Sequence, residues 1–311
     1  MAFDHYLPAS YIGSFSRDAN PTRRKRRLWA VDKREGRLFE TTASELCGAH
    51  NFYGLSLSND DPRFVDSQWS SYESDLNAAL ERMVAGTIDA VQWLKTLVVF
   101  VAALLVRGED FETRFTERLG ELAASRGRDN TNMMRLMELQ RLFASVIGAR
   151  WLLLETPGTA AQITNDLGYT PFLNPAHKES GIAIPLNPRH ILLIITTLKR
   201  VIARAKDGGW EPNIERGVLD QNAHGSFLKN IAASAQRYVM GPDEESLRQY
   251  VTVEASPPAV AEPALLGFFS GAMARHYEMI YFHLSNKFSS PPANPNEYAY
   301  VDYAKNMPGG S

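Results

Sequence analysis

The sequence predicts an α+β fold with a mainly helical first half, an early β-hairpin and a small mixed sheet in the second half. Apolar residues recur at helical spacing through residues 69–106, which predicts a long helical stretch. Residues 28–32 alternate like a strand, and residues 38–41 return after a turn that contains a glycine, which predicts a hairpin. Beyond Pro157-Gly158, short aliphatic and β-branched runs bounded by asparagine, proline and glycine predict strands.

The other elements are predicted in chain order by the same rules. Residues 5–15 predict a short helix, because Pro8 suits the first helical position and Tyr11, Ile12 and Phe15 share one face. Gly86 predicts a break in the long helical stretch. Further helices are predicted over residues 111–125, 133–154, 214–239 and 264–286, and strands over residues 159–164, 181–186 and 191–197. Residues 199–205 fit either an extension of the last strand or the start of a helix.

These elements predict a single α+β domain over residues 1–288. Its helical part covers about residues 69–155, its strand-rich part about residues 159–205, and its closing helices about residues 214–286. The proline-rich tail, residues 289–311, is predicted to be flexible.

The composition limits the class of protein. The chain has 311 residues, of which 44% are hydrophobic, so it can bury a sizeable core. A net charge of −2 gives no general attraction to nucleic acid or anionic membranes, so such binding needs a local patch. The single cysteine, Cys47, and the lack of a signal-peptide pattern predict a cytoplasmic protein. Residues 88–106 are apolar but interrupted by Asp89, Gln92 and Lys95, which favours a buried core helix over a membrane span.

The motifs of the easily recognised enzyme classes are missing from the sequence. It has no Gly-Lys-Ser/Thr phosphate loop, no dinucleotide-type glycine pattern, no His-Glu-x-x-His zinc motif and no Gly-x-Ser-x-Gly nucleophile turn. Those classes are excluded, but an enzyme of another kind is not.

Several polar side chains could carry chemistry, and each has a plain structural alternative. His5 could be a general base or a metal ligand, or it could cap and pack ahead of Pro8. Glu73 and Glu81 lie on nearly the same helix face and could bind a divalent cation or act as acid and base. They could equally form a solvated helix face. Arg107 could bind an anionic group or cap the last carbonyls of its helix.

Other candidates lie on loops and helix ends. Asn165 and Asp166 follow a predicted strand, where both a functional site and an ordinary turn are common. Asn222 lies at the start of a predicted helix, where an N-cap role explains it equally well. The basic run of Arg23, Arg24, Lys25, Arg26 and Arg27 could bind nucleic-acid phosphates or form a solvated loop.

The order of several short motifs resembles a bacterial family known as domain of unknown function 4238. The matching residues are the start His5, Pro8, Tyr11, Ile12 and Phe15, the hairpin Asp32, the pair Phe52-Tyr53, Glu73 on an acidic helix, the strand entry at residues 185–188 and the late Asn222. The resemblance covers about residues 4–240. It implies a shared fold and a shared pocket, but it supplies no reaction. The family's Ser-Asp-Asn-Pro motif is replaced here by Thr164-Asn165-Asp166-Leu167, so either Asn165 or Asp166 fills the aspartate position.

Together these observations predict a site where His5, Tyr53, Glu73, Arg107, Asp166 and Asn222 meet. In this hypothesis His5, Glu73, Asp166 and Asn222 are catalytic, Glu73 and Asp166 hold Mg²⁺ or Mn²⁺, and Arg107 and Tyr53 bind the substrate. The predicted function is a metal-assisted hydrolase acting on a phosphodiester or nucleotide, in a defence or toxin role. The alternative is a non-catalytic interaction or nucleic-acid-binding protein that uses the basic run.

Overall fold

The computed structural model describes residues 3–55, 61–113, 127–158, 161–174, 179–196, 199–200, 203–206, 209–253 and 301–302. Its helices and sheets confirm the α+β class, with helices dominating the first half and most strands lying later. The helices are α1 (Ala9–Ile12), α2 (Phe64–Ala85), α3 (Ala90–Arg107), α4 (Gly127–Ile147), α5 (Gln221–Ser234) and α6 (Glu244–Arg248). Short 3₁₀ turns are formed by Gly13–Phe15, Arg23–Lys25 and Ala43–Glu45.

The strands form two larger sheets and several two-stranded ones. They are β1 (Phe3–His5), β2 (Arg27–Asp32), β3 (Arg37–Thr42), β4 (Gly48–His50), β5 (Arg150–Glu155), β6 (Thr164–Asn165), β7 (Thr170–Asn174), β8 (Glu179–Asn187), β9 (His190–Thr196), β10 (Lys199–Arg200), β11 (Ala203–Lys206), β12 (Gly209–Pro212), β13 (Ile214–Val218), β14 (Tyr238–Gly241) and β15 (Val301–Asp302). One sheet has the order β13-β5-β9-β8-β7, the second has the order β3-β2-β14-β6, and β1 pairs with β4. The first sheet is mixed, because β13 runs parallel to β5 and the other neighbours are antiparallel.

The N-terminal segment enters the fold as a strand. The helix predicted over residues 5–15 is wrong at its start, because β1 extends to His5 and α1 begins only at Ala9. His5 is paired with Gly48 across the ladder. Pairing therefore holds the backbone extended up to His5, and Pro8 precedes the helix as its N-cap.

The early hairpin is confirmed as β2 and β3. Its turn contains Gly36 with a φ of 60°, in the left-handed region that glycine adopts easily. The hairpin does not stand alone, because β14 from the second half pairs with β2. Lys33 at the turn also donates to the carbonyls of Ala232, in the last turn of α5, and Ala235, its C-cap, at 2.8 and 3.4 Å. Both contacts join the hairpin to the second half of the chain.

The long helical stretch forms two helices, as predicted. Gly86 ends α2 with a φ of 76°. α3 includes a π-helical segment, Trp93–Val98. By length and composition α3 could cross a membrane, but 83% of its apolar window is buried inside the fold. Core helices of soluble proteins have the same properties.

Two predicted helices contain strands. The helix predicted over residues 133–154 is wrong after Ile147, where α4 ends and β5 follows. The helix predicted over residues 214–239 is wrong at both ends, because β13 and β14 flank α5. β5 is paired on both sides, with β9 and β13, and its centre reads Trp-Leu-Leu-Leu. An apolar run of that length does not distinguish a buried strand from a helix.

The strands predicted over residues 181–186 and 191–197 are confirmed as β8 and β9. Of the strand predicted over residues 159–164, the structure describes residues 161–164, and of these four Thr164 alone lies in a strand. Residues 199–205 are divided between β10 and β11 where the structure describes them.

Some predicted elements lie outside the described residues. Of the helix predicted over residues 111–125, only residues 111–113 are described, and they are helical. The helix predicted over residues 264–286 is not described, and the tail at residues 289–311 is described only in β15.

The buried hydrophobic side chains form two clusters. The larger includes residues of α1 to α4 and the five-stranded sheet, such as Tyr11, Phe100 and Ile194. The smaller includes Val31 and Phe227, between the hairpin sheet and α5. The N-terminal segment packs on the larger cluster and brings its polar groups to α2 and α3.

Candidate functional site

A buried arginine joins four of the six predicted site residues. Arg107, at the end of α3, is only 2% exposed. Its Nη1 donates to the Tyr72 hydroxyl at 2.6 Å and to the Glu73 carboxylate, and its Nη2 donates to the His5 backbone carbonyl. Its Nε donates to the Tyr53 hydroxyl at 3.3 Å. The structure therefore brings His5, Tyr53, Glu73 and Arg107 together.

This arrangement buries the guanidinium away from any substrate in solution, and each of its three nitrogens already donates a hydrogen bond within the protein. The Arg107 guanidinium carbon lies 5.2 Å from the centre of the Trp69 ring and 5.7 Å from that of Tyr53. The Tyr53 hydroxyl donates back to the Arg107 carbonyl at 3.1 Å, and the Tyr53 amide donates to Asp4 Oδ2 at 3.1 Å. Buried charges are tolerated when they are paired and hydrogen-bonded in this way. Arg107 and Glu73 thus anchor the N-terminal strand to α2 and α3.

The His5 side chain is held apart from this arginine by a different contact. Its Nε2 lies 3.0 Å from the Ser44 carbonyl. Because a carbonyl only accepts, Nε2 carries the proton, and Nδ1 carries the lone pair of the neutral ring. Burial lowers the pKa of His5, and the nearby Arg24 and Arg107 charges act in the same direction. The ring is therefore neutral at pH 7 and oriented by the backbone, as a general base or ligand requires.

His5 belongs to a group of rings at the protein surface. The centre of the Phe3 ring lies 5.1 Å from that of His5 and 5.2 Å from that of His50, with interplanar angles of 80° and 77°. Phe3 is 40% exposed, and His50 is exposed as well. We call Phe3, His5 and His50 the aromatic cluster.

The basic run forms the 3₁₀ turn Arg23–Lys25 and the start of β2. Arg23 donates to Asn77 Oδ1 at 2.9 Å and pairs with Glu81, so Glu81 is occupied. Arg26 Nε donates to the Asn20 carbonyl at 2.7 Å. The side chains of Arg24, Lys25 and Arg27 are exposed, and within the described residues none of them has an ion pair or a side-chain hydrogen bond. We call these three residues the basic surface.

Asp166 lies in a different environment from Glu73. It is 4% exposed, and its Oδ1 and Oδ2 accept the backbone amides of Gln236 and Arg237 at 2.9 and 2.6 Å. Burial raises the pKa of Asp166 to about 6, although hydrogen bonds from backbone amides oppose the shift. Asp166 therefore fastens the turn between α5 and β14.

The neighbouring asparagine is buried as well. Asn165 is 0% exposed, and its Nδ2 lies 3.0 Å from each of the Tyr169 carbonyl, the Ile231 carbonyl and the Ser234 hydroxyl. Both residues of the altered family motif thus connect β6 to the end of α5. Neither side chain is offered to solvent.

Asn222 lies away from the other candidates. It is exposed in the first turn of α5, where Asp220 is the N-cap and accepts the Ala223 amide at 2.9 Å. Asp166 binds beyond the other end of this helix, and the twelve residues from Asn222 to Ser234 span about 18 Å at 1.5 Å per residue. The structure does not bring Asn222 to Asp166.

The described residues contain no group of three or more histidine, cysteine, aspartate and glutamate side chains that could hold a metal ion. To bind a cation together, Glu73 would have to give up its ion pair with Arg107, and Asp166 would have to give up its two hydrogen bonds from backbone amides. The Mg²⁺ or Mn²⁺ site stays a prediction, and these contacts do not support it.

Sequence reasoning missed several residues that organise this region. Arg135 on α4 is 3% exposed; it donates to the carbonyls of Val106 and Gly108 and lies 4.7 Å from the centre of the Phe111 ring. An arginine among the apolar positions of a predicted helix was the available signal. Tyr72 could be suspected only as the neighbour of Glu73.

The sequence analysis named Asp32 but missed its ion pair with Arg237, which closes the hairpin turn. Asp32 is 1% exposed, and its Oδ1 accepts the amides of Arg34 and Glu35 at 3.0 and 3.2 Å. Its Oδ2 accepts Arg237 Nε at 2.9 Å. The hairpin aspartate therefore stabilises the turn and its junction with β14.

Comparison with known proteins gave one match. A family model described as "Protein of unknown function (DUF4238)" matches residues 4–245. No curated protein and no solved structure matches the chain.

Proposed function

The chain belongs to the DUF4238 family, and we propose that it binds nucleic acid at the basic surface. The supporting observation is the exposure of Arg24, Lys25 and Arg27, none of which forms an ion pair within the described residues, although the Asp18 carboxylate lies near Arg27. Lysine and arginine side chains of this kind release counterions when they contact phosphates, and this release supplies most of the non-specific affinity for nucleic acid.

The position of the basic surface strengthens this proposal. The Ala43 amide donates to the Arg26 carbonyl at 3.0 Å, and the next residue, Ser44, holds His5 Nε2 through its carbonyl, so the basic run lies near the His5 imidazole. The Arg23–Lys25 turn is attached to α2, because Arg23 donates to Asn77 and pairs with Glu81 on that helix. A phosphate bound there would meet side chains on a fixed backbone.

The experiment compares two variants with the same change in charge. Fluorescence anisotropy with labelled DNA and RNA oligonucleotides measures the affinity at several salt concentrations. Arg24→Glu/Lys25→Glu alters the basic surface, whereas Arg189→Glu/Lys229→Glu alters two exposed cations on other elements. We expect the first variant to lose at least about tenfold in affinity and its salt dependence to fall by about 1.4, at about 0.7 per phosphate contact on a single strand. Equal losses in both variants would contradict the proposal.

The orientation of His5 favours hydrolysis of a phosphodiester or nucleotide as a second candidate function. In this proposal the Nδ1 lone pair removes a proton from the attacking water, and the basic surface binds the phosphate. The water oxygen bonds to phosphorus, the P–O bond to the leaving group breaks, and the leaving oxygen takes a proton from solvent. Glu73 and Arg107 act indirectly, because Arg107 holds the His5 carbonyl. A defence or toxin role and a cytoplasmic location belong to the same proposal and stay predictions.

A hydrolysis assay on oligonucleotides and nucleotides, with and without Mg²⁺ or Mn²⁺, tests this second candidate. His5→Gln keeps an amide donor for the Ser44 carbonyl but has no titratable base. Glu73→Gln removes the carboxylate charge while keeping its shape. Loss of turnover in His5→Gln alone supports the imidazole as the base, and loss in both variants only when metal is present supports the predicted metal site. Unchanged turnover in both variants, or no turnover in the wild type, leaves binding as the function.

A further inference from the structure

An exposed phenylalanine beside the basic surface has a fixed position. Phe3 is 40% exposed, although a ring of this size is usually buried. Cross-strand pairing places Phe3 opposite His50 and His5 opposite Gly48. The imidazoles of His5 and His50 stand nearly perpendicular to the Phe3 ring, so neither stacks face to face on it.

Gly48 explains how the Phe3 ring is held. A Cβ atom at Gly48 would lie 2.5 Å from Phe3 Cε1, 3.0 Å from Phe3 Cζ and 2.8 Å from the Asp4 carbonyl oxygen. Any larger residue would therefore displace the ring or the strand. The φ of Gly48 is not in the left-handed region, so the close approach of the ring, rather than backbone conformation, requires the glycine.

The aromatic cluster and the basic surface lie next to each other. The Ala43–Glu45 turn links them, because the Ala43 amide donates to the Arg26 carbonyl at 3.0 Å and the Ser44 carbonyl lies 3.0 Å from His5 Nε2. A nucleic-acid strand whose phosphates contact Arg24 and Lys25 would therefore bring its sugars and bases toward Phe3. Stacking between neighbouring base pairs in a duplex covers the faces of the bases, whereas a single strand can unstack and offer them.

We propose that this surface binds single-stranded nucleic acid, with an unpaired base stacked on Phe3 and the backbone on the basic surface. This inference rests on the proposed nucleic-acid binding and adds its substrate class. Stacking on an aromatic ring tolerates every base, because each base has a π-face. The proposed preference is therefore for strandedness rather than for sequence. The imidazoles of His5 and His50 flank the ring edge to face.

The first arm of the test uses the wild-type protein alone. Anisotropy competition compares a single strand, the same sequence as a duplex, and an abasic strand with the same backbone. We expect the single strand to bind about tenfold more tightly than the abasic strand, and also more tightly than the duplex. Equal affinity for all three overturns the stacking inference without touching the proposed binding.

The second arm uses variants. Phe3→Leu should lose about tenfold in affinity for the single strand and nothing for the abasic strand, whereas Phe3→Trp should retain binding. Phe64→Leu is the matched control, because Phe64 is 38% exposed and lies on α2. Circular dichroism checks that each variant folds. If Phe3→Leu binds like the wild type while Arg24→Glu/Lys25→Glu binds poorly, stacking is wrong and the proposed function stands. If no oligonucleotide binds the wild type, both fail.

Discussion

The buried carboxylate of Asp166 leads to a pH dependence of stability with a definite sign. Its pKa is raised from 3.8 to about 6 by burial, a difference of about 2 pH units. At 1.36 kcal/mol per unit, this amounts to about 3 kcal/mol. Because the folded protein holds the proton more tightly than the unfolded chain, this contribution is fully present below about pH 3.8. It is lost as the pH rises through about 6.

Asp166→Asn isolates this contribution, because asparagine does not titrate. Chemical denaturation of both proteins between about pH 4 and pH 7 gives the free energy of unfolding at each pH. The pKa values of His5 and His224 are lowered by burial, so those histidines give the opposite pH dependence, but they are present in both proteins and cancel. We expect the stability of the wild type, relative to Asp166→Asn, to rise by up to about 3 kcal/mol on acidification.

The opposite sign would refute this reasoning. Two hydrogen bonds from backbone amides to the Asp166 carboxylate favour its charged form. If they outweighed burial, the pKa would lie below 3.8, and the wild type would lose stability relative to the variant as the pH falls. Measurement of the carboxyl pKa by NMR decides between the two directly.

Four further substitutions are predicted to lower the free energy of unfolding, which urea denaturation followed by tryptophan fluorescence measures for each. Arg107→Met should lower the free energy of unfolding by about 3–5 kcal/mol, because it leaves Glu73 without its buried partner. A decrease below about 1 kcal/mol would contradict this. Arg216→Ala should cost about 1 kcal/mol, because the exposed arginine donates to two carbonyls at the end of α2; no loss would show that water replaces it. Gly168→Ala should cost about 3 kcal/mol, since φ is 75° and the new Cβ meets two leucine methyls at 2.8 Å. Gly36→Ala, with φ of 60° and open space, should cost only about 1 kcal/mol, and equal losses would contradict the role of crowding.

The fold was predictable wherever the local sequence pattern agreed with the pairing and packing of that segment in the folded protein. The hairpin has alternating residues and a glycine at its turn, and the break at Gly86 has the left-handed φ that glycine permits. The strands β5 and β13 were not predictable, because their pairing partners lie far away in the sequence. Pairing between distant segments can override local helical spacing.

The candidate site was predictable only in part. The resemblance drew attention to His5, Tyr53 and Glu73, and the structure gathers these residues around Arg107. The resemblance could not indicate that Arg107 neutralises Glu73. The aromatic cluster escaped notice, because Phe3 and His50 are isolated residues in the sequence and meet only through the β1–β4 ladder.

The sequence by itself determined the α+β class, the hairpin, the buried apolar helix and the family, because these depend on short-range periodicity, turn residues and the order of motifs. Tertiary structure alone decided which charges are paired inside the protein and which face solvent. Arg107 and Arg24 are the same residue type, yet one is enclosed by two tyrosines and a carboxylate and the other is exposed. Burial and pairing are properties of the folded surroundings, and the surroundings of each arginine come from segments far away along the chain.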